Sequence, residues 1–358
     1  MKIKLALLWH LIVLTFQTTA QSYSYNVEKV SDGIYVLKPV ISDYRWVTPN
    51  IEVIINERSV LVVDSGLLPE AAEEAIKEIK KITEKPIKYL VNTHWHGDHW
   101  QGNEAFVNAY PDIQIIASEE GAEGIKRDGM VWANIFYFKN FKLMIESYEE
   151  QLKKGKGTDG TKFTQQERKE LQEAIVSVKE DLESVKKLKP TPPTLTFSKM
   201  MTMQFGDREI QFHYLGKGNT KGDAVLYLPK EKILITGDLV VHPSPYESGA
   251  FSLDWVDTSK RLAEFDYATL IPGHGDVQHD TSYLDFLNAL FQEILGKVNI
   301  AYQQGSYSLE EFQKLANHES VTKALGENPK FAENIKNLSP NFIPACVNRV
   351  HRKAHDGR

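Results

Sequence analysis

A single cysteine, Cys346, serves the whole 358-residue chain, so no disulfide forms within it and no metal site can be built from clustered thiolates. No apolar run approaches the roughly 20 residues that a bilayer-spanning helix needs. Basic residues are not in excess: 42 Lys and Arg face 48 Asp and Glu, a formal charge of -6. With no basic stripe either, nucleic acid is a poor fit as a partner. Internal repeats and low-complexity tracts are missing too. With 42% hydrophobic and 25% charged residues the composition is that of a globular protein, which excludes disordered, collagen-like and multi-span membrane chains. The length suits one large domain or two ordinary ones, each able to bury a sizeable core.

The N-terminus carries Lys2 and Lys4, then an apolar run over 5–16 interrupted only by His10, then Gln17-Thr18-Thr19-Ala20. Small residues at Thr18 and Ala20, before Gln21, fit a signal-peptidase site, so residues 1–20 read as a cleaved signal peptide. The expected location is periplasmic or secreted, with no stable membrane insertion after cleavage. Loss of the two lysines takes the formal charge from -6 to -8. In an oxidising compartment, without paired cysteines, stability must come from the core alone.

Residues 34–37, 51–55 and 60–63 are short β-rich runs separated by Asp32-Gly33 and Asn56-Glu57 turn signals. Over 69–82, Ala72, Ala75, Ile76, Ile79 and Ile82 fall on one helical face. A strand at 87–91, a helix at 100–110 and a strand at 113–117 follow, the alternation of a layered α/β protein. Between 131 and 189 the character changes. Ala174, Ile175, Val178, Leu182 and Val185 recur among Lys and Glu, and a polar connector spans 153–162, which together describe a helical hairpin. The aromatic group Trp132, Phe136, Tyr137, Phe138 and Phe141 leads into it, reading as a helix face packed on the core or as a lid over a site. Strands return over 197–238, and residues from 282 onward are mainly helical. The expected organisation is a domain over 21–280, with a helical insertion at about 131–190, and a helical C-terminal extension over 281–358.

Of eleven histidines, three lie within six residues, in Thr93-His94-Trp95-His96-Gly97-Asp98-His99, where a strand gives way to a helix. Imidazoles and a carboxylate on a turn can aim in different directions, so His94 and His96 can serve one metal while Asp98 and His99 serve a neighbour. A strand end gives them a rigid base. Further acidic and histidine signals follow in order: Gly218-Asn219-Thr220 with Gly222-Asp223, Thr236-Gly237-Asp238 and Pro272-Gly273-His274-Gly275, after an earlier Val63-Asp64-Ser65-Gly66.

As an ordered set, these motifs resemble the metallo-β-lactamase superfamily over residues 30–277, the stretch 131–189 excepted. The resemblance implies an αββα sandwich with one or two zinc ions at a sheet edge. It places His94 and His96 in a first metal site, and Asp98, His99 and His274 in a second. Asp238 falls at the carboxylate that bridges both, and Asp64 at a buried aspartate that orients the ligand loop. One position departs from the pattern: Asn219 stands where most members have the third histidine of the first site, and an amide oxygen is the weaker ligand. His242, four residues past Asp238, is a candidate substitute, and Tyr246 a candidate substrate contact.

The chemistry implied is hydrolysis of an ester, thioester, amide or lactam in a small molecule by metal-bound hydroxide, with Asp98 positioning or deprotonating the water. Export favours β-lactam-type substrates. An aspartate at 238, where one lactamase group carries cysteine, looks more like the glyoxalase II or lactonase branches. A non-catalytic metal-binding or sensor protein with an impaired first site is the reading from a different class. The oligomeric state is not legible.

Overall fold

The computed structural model describes residues 23–40, 48–246, 252–305 and 308–356, with the side chains of 132–134, 252 and 353–356 excepted. Residues 1–20, read from the sequence as a signal peptide, and the side chain of Trp132 therefore lie outside the described residues. Among those described, no helix is long and apolar enough to cross a membrane.

The described strands pair into two sheets. The first contains β1 (Tyr25–Ser31), β2 (Ile34–Pro39), β3 (Ile51–Ile55), β4 (Val60–Val63), β5 (Ile87–Val91), β6 (Gln114–Ser118) and β7 (Leu195–Phe197), side by side in chain order. β1 to β4 run antiparallel, and β4 to β7 run parallel. A parallel pair needs a crossover. Between β4 and β5 it is the helix Pro69–Ile82, whose Ala72, Ala75, Ile76 and Ile79 are buried and whose last turn carries Lys80 and Lys81. The second sheet contains β8 (Met200–Phe205), β9 (Arg208–Tyr214), β10 (Ala224–Leu228), β11 (Ile233–Ile235) and β12 (Thr269–Ile271). Its pairs are antiparallel except for β11 with β12.

Side chains alternate across a strand, so one apolar run can feed two layers. In β4, Leu61 and Val63 join Ile34, Val36, Ile54 and Ile116 against Ile210, Phe212, Leu226 and Ile235 of the second sheet. Val60 and Val62 point the other way, onto Ala72, Ala75, Ile76 and Ile79. On the far side of the second sheet, Val225, Leu234 and Leu270 meet Trp255, Phe286, Leu287 and Leu290 from the helices Ser252–Leu262 and Ser282–Gln303. The order of layers is helix, sheet, sheet, helix: the αββα sandwich. Helices after residue 281 share the outer core, with Phe312, Val321, Phe342 and the lone Cys346 buried in it.

Two local expectations are refined. The helix at 100–110 is divided into Gly97–Trp100 and Asn103–Ala109. Gly102 sits between them, its N–H on the carbonyl of Gly66 at 3.0 Å, where a side chain would strike the Ser65 carbonyl. The hairpin is Phe138–Lys154 and Gln165–Lys187, but helical chain starts earlier, at Glu119, and reaches the hairpin through two wide turns, Ile125–Gly129 and Ala133–Tyr137. Gly155 in the left-handed region (φ 68°) ends the first arm, and a Thr164–Glu167 capping box starts the second. Phe141, Ile145, Val178 and Val185 seat the hairpin on Leu67 and Leu68 of the main fold.

Phe212 lies fully buried between the sheets. Phe212→Ala is expected to cost about 3–5 kcal/mol. Denaturant unfolding followed by circular dichroism checks this, and an unchanged midpoint would show that the two sheets do not share one core.

Candidate metal centre

β4 and β5 are parallel, so their C-terminal ends emerge together, bringing Asp64 beside the segment 93–99. β11 and β12 do the same for Asp238 and His274. β10 runs antiparallel to β11, so the loop entering it, which carries Asn219, arrives at that same edge. Hydrogen bonds lock the two halves. The N–H of Ala224 donates to the carbonyl of Thr93 at 2.8 Å, and the Asn50 amide donates to the carbonyls of Pro272 and Gly275 at 2.9 Å each. Gly273 is needed at its place: a Cβ there would lie 2.1 Å from Asp238 Oδ1.

Two overlapping donor groups result. Ligand atoms of His94, His99 and Asp238 lie within 4.8 Å of one another, as do those of Asp98, His99 and His274. His274 Nε2 is 3.2 Å from Asp98 Oδ2 and 3.5 Å from Asp238 Oδ1. His99 Nε2 is 3.5 Å from Asp98 Oδ2 and 3.4 Å from Asp238 Oδ1. Thus Asp98, His99, Asp238 and His274, each named from the sequence, converge. His94 is fully buried, with Nε2 3.7 Å from Asp238 Oδ2. His96 sets its Nδ1 3.0 Å from His94 Nε2, outside both groups. Asn219 is buried and donates Nδ2 to Asp238 Oδ2 at 3.2 Å, leaving its own Oδ1 without a partner. His242 stands edge-on to Tyr283, 4.9 Å between ring centres, with Asp276 at 3.9 Å, and does not enter either group. Tyr246 is exposed.

Asp64 organises the cluster from behind. Its carboxylate accepts the Thr93 N–H at 2.8 Å and the Thr93 hydroxyl at 2.8 Å, and meets His99 Nδ1 at 2.6 Å. Sequence reasoning missed two participants. Asn50 belongs to no motif, and Tyr137, read only as part of an aromatic approach, directs its hydroxyl to Asp98 Oδ1 at 3.4 Å.

The electrostatics are those of a cation site. Burial works to raise Asp98 and Asp238, yet the imidazoles of His99 and His274 hold both carboxyls below the usual range. Burial works to lower His99 and His274, yet the surrounding carboxylates raise both, His99 well above its ordinary value. His94, desolvated and facing other imidazoles, is pushed far down and stays neutral. His99 Nε2, Asp238 Oδ1 and Asn219 Oδ1 are buried and lack hydrogen-bond partners. Unpaired buried polar atoms are costly, and a divalent cation bound here would satisfy His99 Nε2 and Asp238 Oδ1. The residues therefore fit a metal ion.

The profile of the metallo-β-lactamase superfamily matches residues 44–274. The chain belongs to that superfamily of metal-dependent hydrolases. Its sequence is similar to that of a linear primary-alkylsulfatase from a Pseudomonas species, 23% identical over 226 residues; the match covers 60% of this chain and 39% of that enzyme. Among solved structures, a metallo-β-lactamase from Pontibacter korlensis is similar at TM-score 0.52 and 22% identity, with 75% of this chain and 99% of that one covered. TMB-1 is similar at TM-score 0.52 and 16% identity, covering 75% and 98%. At these identities the structures speak for the fold.

Two outcomes are expected for metal binding. His99 and His274 hold protons above the ordinary histidine value of about 6.5, and a metal must displace them, so affinity rises with pH beyond that value and binding releases protons. Calorimetry in buffers of differing ionisation enthalpy reads the release; pH-independent affinity between about pH 6 and 8 would contradict it. Separately, Asn219→His restores an imidazole beside His94 and His96, and is expected to tighten the weaker of two zinc-binding events by roughly tenfold or more. Equilibrium dialysis with metal analysis decides, and an unaltered stoichiometry and affinity would rule out an incomplete first site.

Proposed function

We propose that the chain is an exported zinc-dependent hydrolase that cleaves an ester, thioester, amide or lactam bond in a small molecule. The carrying observation is the convergence of Asp98, His99, Asp238 and His274, with His99 Nε2 and Asp238 Oδ1 buried and without a hydrogen-bond partner. Export rests on Lys2, Lys4 and the apolar run at 5–16 ahead of Thr18 and Ala20.

A zinc ion held by these donors supplies Lewis acidity and makes a water acidic enough to ionise near neutral pH. The protein's own contribution is to place charge. Asp98, kept ionised by His99 and His274, has acceptor lone pairs at the mouth of the cluster and orients an attacking water through them. His94, held neutral, offers a lone pair rather than a repelling charge. Asp64 fixes His99 from the side remote from the reacting atoms, so the cluster keeps its shape as charge develops.

The similarity to an alkylsulfatase favours a second reading, in which the bond cleaved belongs to a sulfate ester. The same residues serve it, since a tetrahedral sulfate, like a carbonyl under attack, presents developing negative charge to the metal and imidazoles. A panel of chromogenic β-lactam, aryl ester, thioester and alkyl or aryl sulfate substrates separates the two readings, with zinc content measured alongside. Asp98→Ala is expected to lower kcat/KM on the accepted substrate by about 100-fold or more and to empty one metal position. Wild-type turnover in that variant would sink the mechanism. Lack of zinc uptake and of turnover by the parent would favour a non-catalytic protein.

A further inference from the structure

Tyr137 comes from the helical insertion, 39 residues past Asp98, yet it ends at the metal centre. It is 6% exposed, and its ring is packed against Phe136 and Phe141 at centre distances of 5.4 and 6.5 Å. Its hydroxyl donates to Asp98 Oδ1 at 3.4 Å. A side chain of the insertion thus holds the carboxylate of Asp98. The room for it is specific. A Cβ on Gly97 would lie 2.5 Å from the Tyr137 ring, so the glycine between His96 and Asp98 is what lets the ring reach this far.

The two oxygens of Asp98 are thereby made unequal. Oδ1 belongs to Tyr137, while Oδ2 faces His274 Nε2 at 3.2 Å and His99 Nε2 at 3.5 Å. Asp98 sits in a helical segment of only four residues, Gly97–Trp100, with little regular structure to fix its rotamer. We propose that Tyr137 is a positioning residue for the metal centre: it clamps Asp98 so that Oδ2 alone is presented as a ligand, and so makes metal binding depend on the docked insertion.

This rests on the metal-site reading above, and the test keeps the two apart. Zinc affinity of the metal-free full chain is measured by competition with a chromophoric chelator for the parent, Tyr137→Phe and Gly97→Ala. Tyr137→Phe keeps the ring and removes the hydroxyl; the expected result is zinc binding about 10- to 100-fold weaker at one position, as for other groups that orient a ligand from behind. Its thermal unfolding in the metal-free state stays close to that of the parent. Gly97→Ala, which keeps the hydroxyl but displaces the ring, is expected to weaken the same binding event. Cobalt substitution adds a readout that packing alone does not move: the visible ligand-field bands shift in Tyr137→Phe as Asp98 changes its mode of coordination. Parent-like affinity and spectrum in Tyr137→Phe overturn the proposal while leaving the metal centre standing. Absence of zinc binding by the parent overturns both.

Discussion

Asp64 stands just beyond β4 with its backbone in the left-handed region, φ 60°, and three hydrogen-bonding partners end on its buried carboxylate. A non-glycine residue held there costs on the order of 1–3 kcal/mol, which the surroundings must over-determine. What the arrangement secures is the tautomer of two imidazoles in the donor cluster. With His99 Nδ1 donating to Asp64, the neutral ring has its lone pair on Nε2, which faces Asp98 and Asp238. The Thr93 hydroxyl spends its proton on Asp64, so its oxygen accepts from His94 Nδ1 at 3.0 Å. His94 then also presents Nε2. A single carboxylate, through one shared hydroxyl, aims both imidazoles at the same space.

The sandwich makes that arrangement affordable in a dry interior. Asp64, Asp98, Asp223 and Asp238 are all buried at one edge, with Glu52 behind them on β3. Such a concentration of acid is stable only where cations or protons balance it. Asp223 and Glu52 show the second route: burial pushes Asp223 up to about 7 and Glu52 well above its usual range, so protons answer where no cation reaches. Asp98 and Asp238 show the first, held ionised by the imidazoles around them. Two carboxylates kept charged among two kept near neutrality mark where a metal belongs more sharply than residue identities alone.

The layers were legible because both strand and helix periods appear intact. Val60 to Val63 is apolar at every position because β4 is covered on both faces, and the spacing of Ala72, Ala75, Ile76 and Ile79 matches the face that covers it. The donor cluster was legible because His94, Asp98 and His99 are crowded on one turn and Asp238 and His274 follow in order. What escaped has no local signature. Asn50 acts through long-range amide contacts to the loop 272–275, and nothing around it in the chain marks it. Tyr137 lies in an aromatic stretch that looks like an ordinary buried helix face, and Phe141 is part of one. Its hydroxyl matters only because the hairpin folds back over Leu67 and Leu68, a tertiary event. The division of the helix at Gly102 has the same character: Ser65, 37 residues earlier, decides it by closing on the glycine.

Asn219 bears on how the two donor groups share their work. An imidazole there would offer a lone pair; the amide instead donates Nδ2 to Asp238 Oδ2 and so occupies one oxygen of the central carboxylate. The other oxygen, Oδ1, stays unpartnered and lies beside His99 and His274. Asp238 Oδ1 is thereby left facing His99 and His274, while His96 rests against His94. Tyr137 acts on Asp98 in the same sense, tying up Oδ1 and freeing Oδ2 for that group. Two residues outside the ligand set, one replacing a histidine and one reaching in from the insertion, therefore bias the centre in one direction.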